Sequence, residues 1–138
     1  MNKRNKSGCM DITAYHAITN VTKQEKAAAG AKVYKPLVYV ASPYAGDITH
    51  NTEQTRRYCR YAVDQGCIPL APHLLFPQFM DEGNKQEREM GLFFALVLLG
   101  KVDELWVFGS HISKGMAQEI KKASKRGLPI KHFGEVLV

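Results

Sequence analysis

Short β-rich apolar runs alternate with helix-length amphipathic stretches along this chain, and that alternation constrains its fold more than any other feature. Residues 37–41 read Leu-Val-Tyr-Val-Ala and residues 104–108 read Glu-Leu-Trp-Val-Phe. Neither run alternates apolar with polar, the pattern of strands covered on both faces. A shorter run at 67–71 carries Pro69 and is followed by Pro72, which predicts a brief or edge strand. Helices are predicted at 48–65, 84–99 and 114–126, ending at Gly66, Gly100 and Gly127. A fourth strand is expected at 129–132 and a fifth at 136–138. Strand and helix in strict alternation imply an α/β fold: a parallel sheet with helices on both faces and right-handed crossovers.

The first helix starts on Asp47 or Thr49 as its cap, with Ile48, Thr55, Tyr58, Cys59, Ala62 and Val63 as the expected inner residues. Residues 73–83 read as a loop containing Phe76 and Phe79. The second helix is apolar nearly all round. Phe93, Phe94, Leu96, Val97 and Leu98 are assigned to the core or to a subunit interface, which favours a homo-oligomer.

The 138 residues suffice for one domain that buries a core without metals or disulfides. Cys9, Cys59 and Cys67 are odd in number and lack CxxC spacing, which argues against a disulfide framework and fits a reducing, cytoplasmic setting. The longest apolar run, 90–99, is far short of a membrane span, and the basic N-terminus lacks the apolar segment of a signal peptide. The net charge of +6 is unevenly placed. Residues 1–35 hold seven bases against two acids, and the remaining 103 hold twelve against eleven. Residues 1–35 therefore read as a basic tail or linker, with a short helix near 10–28, and 36–138 as the folded domain. A basic tail on a nearly neutral domain is weak ground for a nucleic-acid partner.

Several chemistries lack their motifs. There is no P-loop, no dinucleotide-binding GxGxxG, no GxSxG elbow, and the five histidines have no metal-ligand spacing. No metal and no organic cofactor is implied. In sheets of the expected kind, ligands sit beyond the carboxyl ends of the strands. The loops leaving the two best-defined strands, 42–47 and 109–115, are therefore the place to look. Ser113 can cap the third helix, Gly115 lets a ligand approach the backbone, and the free N–H groups of that first turn suit a phosphate or carboxylate. Glu119 lies one turn further on, either facing the same cleft or as a surface carboxylate. Tyr44 at the end of the first strand can stack on a base or close the core.

Together these segments resemble the nucleoside 2-deoxyribosyltransferase-like superfamily, with the nearest likeness to its small bacterial and phage DUF4406-type branch. The likeness covers about residues 37–133. It rests on Val-Tyr-Val-Ala-Ser-Pro-Tyr at 38–44, Asp-Glu-Leu-Trp-Val-Phe-Gly at 103–109, and Ser-Lys-Gly-Met-Ala-Gln-Glu at 113–119, continued by Ala123, Gly127 and Pro129. The resemblance implies a flavodoxin-like doubly wound sheet of four to five strands in three α/β/α layers. It implies cleavage or transfer at the N-glycosidic bond of a (deoxy)nucleoside 5′-monophosphate or related nucleotide, with Glu119 as nucleophile on C1′ and Tyr44 holding it in place. Ser42, Pro43, Gly109, Ser110, Ser113, Gly115 and Met116 would line the sugar-phosphate pocket, and Arg88 would reach the ligand or a neighbouring subunit. Family members often carry Asp where Ser113 stands, which favours nucleotides over nucleosides here. The acid that protonates the leaving base is sought among Asp47, Asp81, Glu89 and Asp103, with Asp47 best placed. The alternative is a non-catalytic nucleotide-binding or sensing module on the same fold.

Overall fold

The computed structural model describes residues 34–134. Their order is β1 (Leu37–Ala41), α1 (Ile48–Asp64), β2 (Ile68–Leu70), α2 (Pro72–Leu75) leading into a 3-10 turn (Phe76–Gln78), α3 (Lys85–Leu99), β3 (Glu104–Phe108), α4 (Lys114–Lys125) and β4 (Ile130–Gly134). The four strands form one parallel sheet in the order β2-β1-β3-β4. This is a flavodoxin-like α/β fold.

Strand periodicity sorts the core into two halves. Val38 and Val40 of β1, with Trp106 and Phe108 of β3, pack against Tyr58 and Ala62 of α1. Tyr39 and Ala41, with Leu105 and Val107, face the other way onto Ala95 and Leu99 of α3 and Met116 and Ala123 of α4. The sheet is thus sandwiched between α1 on one face and α3 with α4 on the other. Each large aliphatic or aromatic side chain so buried contributes about 1.5–3 kcal/mol relative to exposure. On the α1 face, Phe108 stacks between Tyr58 and Phe133, at centroid distances of 4.5 and 4.9 Å.

The helix boundaries follow from local chemistry. Asp47 caps α1 by accepting from the His50 N–H at 3.1 Å. Asn84 caps α3 through the Glu87 N–H, and Ser113 caps α4 through the Met116 N–H at 3.2 Å. β2 is three residues long and lies at the sheet edge, where Pro69 leaves no central ladder position unfilled.

Three expectations need correction. Residues 73–83 are not simply a loop, because α2 and the 3-10 turn occupy 72–78. Pro72 and Pro77 start these short turns, where a missing N–H costs nothing. Ile48 and Val63 are not inner residues of α1. The buried stripe is Thr55, Tyr58 and Ala62, whereas Ile48 and Val63 are exposed. The apolar residues of α3 are not all core. Only Ala95 and Leu99 are buried, Phe94 and Leu96 are half-buried, and Phe93 is 64% exposed with Val97, Leu92 and Met90 beside it. The expected tail, the helix near 10–28 and the strand at 136–138 lie outside the described residues, apart from Tyr34 and Lys35, which are exposed.

Candidate active site

β1 and β3 are neighbours, but the chain leaves β1 toward β2 and leaves β3 toward β4. The loops after Ala41 and Phe108 therefore diverge and open a crevice at the carboxyl end of the sheet. A cavity of about 590 Å³ lies there, a size suited to a small molecule. One wall is Tyr44, Ala45 and Gly46 from the first loop. A second is Ser113, Lys114, Gly115 and Gln118 at the start of α4. A third comes from Pro72, His73 and Phe76, and the fourth from Glu82, Arg88, Gly91, Leu92 and Ala95.

Of the residues expected at the site, Tyr44, Arg88, Ser113 and Gly115 line this cavity. The Tyr44 ring stacks on His73, with centroids 4.8 Å apart and planes 15° from parallel. Burial raises the Tyr44 phenol pKa, and the Glu82 carboxyl raises it further. Burial also lowers the His73 pKa, which favours the neutral imidazole. The first turn of α4, which lines the same cavity, presents free N–H groups at a glycine. Nothing lies within 4 Å of where a Cβ on Gly115 would stand. The start of α4 therefore suits an anionic group, and the cavity lining as a whole carries Arg88 and Lys114 against Glu82.

Other expected site residues hold the loops in place. Ser42 is buried, and its Oγ shares a 2.7 Å hydrogen bond with Thr55 Oγ1. Thr55 Oγ1 also donates to the Asn51 carbonyl, and Asn51 Nδ2 donates to the Tyr44 and Ala45 carbonyls. This chain of bonds fixes the first loop to α1. Gly109 has φ +94°, and a Cβ there would stand 3.1 Å from Pro43 Cδ, so the two loops touch at Pro43 and Gly109. Ser110 is exposed, and Met116 is a fully buried member of the core. None of these lines the cavity.

Glu119 is 6% exposed, on the sheet-facing side of α4. It sits one turn beyond Gly115, and side chains of a helix lean toward its N-terminus, so Glu119 leans toward the Gly115 turn. Glu119 itself does not line the cavity, whose α4 wall is Ser113, Lys114, Gly115 and Gln118. The group that interacts with Glu119 is Tyr39 of β1, not Tyr44. The Tyr39 hydroxyl lowers the Glu119 pKa, and burial raises it more strongly, with a net rise to about 7. Even so, neither Tyr39 Oη nor Glu119 Oε2 completes a hydrogen bond of normal geometry. Two polar atoms buried side by side without partners are an uncommon arrangement in a protein core.

The sought general acids lie elsewhere. Asp47 is engaged as the α1 cap. Asp103 accepts from the Leu37 N–H at 2.8 Å, at the amino end of the sheet. Asp81 accepts from the Gly83 N–H, and Glu89 is exposed on α3. Among the described residues lining the cavity, Glu82 carries the one carboxyl. Sequence reasoning missed Tyr39, His73, Phe76 and Glu82. Among the described residues no group of three or more His, Cys, Asp or Glu could hold a metal ion, and no helix is long and apolar enough to cross a membrane. Burial pushes the Cys59 thiol up to about 11, which disfavours its thiolate near neutral pH.

A family model described as a domain of unknown function (DUF7768) matches residues 36–133, rather than a DUF4406 model. No curated protein matches the chain in sequence. Among solved structures, the 2-deoxyribosyltransferase of the psychrotolerant bacterium Bacillus psychrosaccharolyticus is similar in fold. Its TM-score is 0.60 at 17% identity, over 74% of this chain and 76% of that one.

Proposed function

The chain belongs to the DUF7768 family, and we propose that it cleaves or transfers the N-glycosidic bond of a (deoxy)nucleoside 5′-monophosphate or related nucleotide. The observation that carries this reading is Glu119: a carboxyl buried beside the Tyr39 hydroxyl, one turn beyond a helix start whose free N–H groups suit an anion. The similar fold of a 2-deoxyribosyltransferase supports it.

In this reading the 5′-phosphate sits at the start of α4, on the Ser113–Gly115 turn, with Arg88 and Lys114 nearby. The base lies against the Tyr44–His73 stack and Phe76. The Glu119 carboxylate attacks C1′ as the C1′–N bond breaks, and the base leaves with a proton. The product is a glycosyl ester on Glu119, which water or a second base then resolves. An oxocarbenium-like transition state carries positive charge, so a desolvated carboxylate beside it gains stabilisation that it lacks in the free protein. Glu82 is the proton donor to the leaving base, because Asp47 is committed to capping α1. Tyr39 is the positioning residue for Glu119, and Tyr44 acts on the base rather than on the carboxyl.

The test is incubation with a panel of nucleosides and nucleoside 5′-monophosphates, followed by chromatography for free base. Base release by the wild type, lost by about 10³-fold or more in Glu119→Gln, is the expected result. No release from any substrate, with equal nucleotide affinity in both proteins, would leave a binding module instead.

A further inference from the structure

The near-neutral charge of the folded domain hides a local asymmetry. On α4, Lys114, Gln118, Lys121, Lys122 and Lys125 fall at positions i, i+4, i+7, i+8 and i+11, which is one face of a helix. The stripe is about 16 Å long at 1.5 Å per residue. Its first two members line the cavity described above. From Gln118 onward it forms, with Leu96 and Arg126, a separate open groove of about 560 Å³ between α3 and α4. Gln118 belongs to both walls, so the groove and the cavity adjoin at that residue. Arg126 is held at the far end by donating to the Leu99 carbonyl at 3.0 Å.

The stripe lacks compensating acid. Glu119, the one carboxylate on α4, is turned inward and buried. The ion pairs among the described residues are Arg60 with Asp64 and Lys131 with Glu104, and neither includes these lysines. Lysines in the last turn of a helix offset its dipole, which accounts for Lys122 and Lys125. It does not account for Lys121, nor for Lys114 at the helix start, where a cation is disfavoured.

We infer that this groove binds the phosphate backbone of a single-stranded nucleic acid whose terminal nucleotide enters the cavity. The stripe spans about three to five nucleotides, depending on how far the strand is extended. Leu96 gives the groove an apolar floor, and the aromatic side chains lie at one end of the track, in the cavity. Such a layout suits one stacked base followed by phosphates. The inference rests on the nucleotide reading of the cavity only for which part of the strand enters it.

The test is fluorescence anisotropy of the full chain with a labelled ten-residue single-stranded oligonucleotide, against Lys121→Ala/Lys122→Ala/Lys125→Ala. A control variant, Arg56→Ala/Arg57→Ala/Arg60→Ala, removes equal charge from α1 on the other face of the sheet. Three lysine–phosphate contacts give a log–log salt slope of about −2, or about 20-fold weaker binding between 50 and 200 mM salt. The expected result is that the lysine variant binds at least tenfold more weakly at low salt and loses that much of the slope, with the control unchanged. The lysine variant still releases base from mononucleotides if the catalytic reading holds. Oligonucleotide binding lost in the lysine variant supports the inference even if no protein releases base. Absence of binding by the wild type, or equal binding by the lysine variant, overturns it. Displacement of the strand by inorganic tripolyphosphate at matched phosphate concentration also overturns it, in favour of a small polyphosphate.

Discussion

Replacing Glu119 by Gln turns the burial of this carboxyl into a measurable dependence of stability on pH. In the folded protein, burial raises the Glu119 pKa from 4.5 to about 7, even though the Tyr39 hydroxyl opposes the rise. In the unfolded chain the carboxyl titrates near its ordinary value. Between these values the folded state holds a proton that the unfolded state has lost, so stability falls as pH rises. The loss begins near pH 4.5 and is complete above about pH 7. It amounts to about 3 kcal/mol, since each pH unit of difference is worth about 1.4 kcal/mol. Glu119→Gln lacks a titrating group, so its stability relative to wild type should be lowest below pH 4.5. That relative stability should climb by about 3 kcal/mol up to pH 8. Urea unfolding of both proteins at half-unit pH steps, with the difference in unfolding free energy plotted against pH, measures this directly. Subtracting one protein from the other removes every other titrating group common to both. A difference that stays flat from pH 4.5 to 8 would mean that Glu119 ionises as it does in water. The reading of a desolvated carboxyl beneath the helix start would then be refuted.

Four further outcomes follow from the same geometry. The rising limb of catalytic efficiency against pH should have its midpoint near 7 as Glu119 ionises, and Tyr39→Phe should move that midpoint upward, since the Tyr39 hydroxyl favours the ionised form; pH–rate profiles check both. Gly115→Leu should leave stability unchanged or raised by up to about 1 kcal/mol, because no atom opposes a side chain there. It should weaken nucleotide binding by about tenfold or more, a loss of about 1.4 kcal/mol readable by calorimetry. Gly109→Ala should cost about 1–3 kcal/mol in denaturant unfolding, from its positive φ and the 3.1 Å approach to Pro43. Glu82→Gln should slow base release by about 10²–10⁴-fold in the chromatographic assay, with less effect on a substrate whose leaving group needs no proton.

The parts of this molecule that were legible in its residues are those set by local chemistry. β1 and β3 carry their limits on their faces, because a strand covered on both sides needs an unbroken apolar run, and 37–41 and 104–108 supply it. The Ser113 cap and Gly115 opening needed only a strand end and a helix start. What escaped were properties of packing. Tyr39 sits amid valines and reads as core; its hydroxyl acquires a role only when β1 and α4 are laid against each other. His73 and Phe76 hide between prolines that look like loop, until two short helical turns bring them to the cavity that Gly115 also lines. Asp47 and Ser42 looked available because both lie at the right strand end. A cap bond and the Thr55 hydroxyl occupy them. α3 has apolar residues around its whole circumference, so its pattern has no phase, and the exposed face of Phe93 and Val97 could not be told from the buried one of Ala95 and Leu99.

Mass spectrometry of peptides from protein quenched in acid during turnover of a 2-fluoro-substituted deoxynucleotide, whose sugar ester hydrolyses slowly, bears most directly on Glu119. A peptide spanning residues 114–121 that gains the mass of the sugar phosphate, with fragmentation assigning it to Glu119 and no gain in Glu119→Gln, is the predicted result. Base released with no sugar on that peptide, or sugar attached to another side chain, would contradict the assignment of Glu119 as the nucleophile.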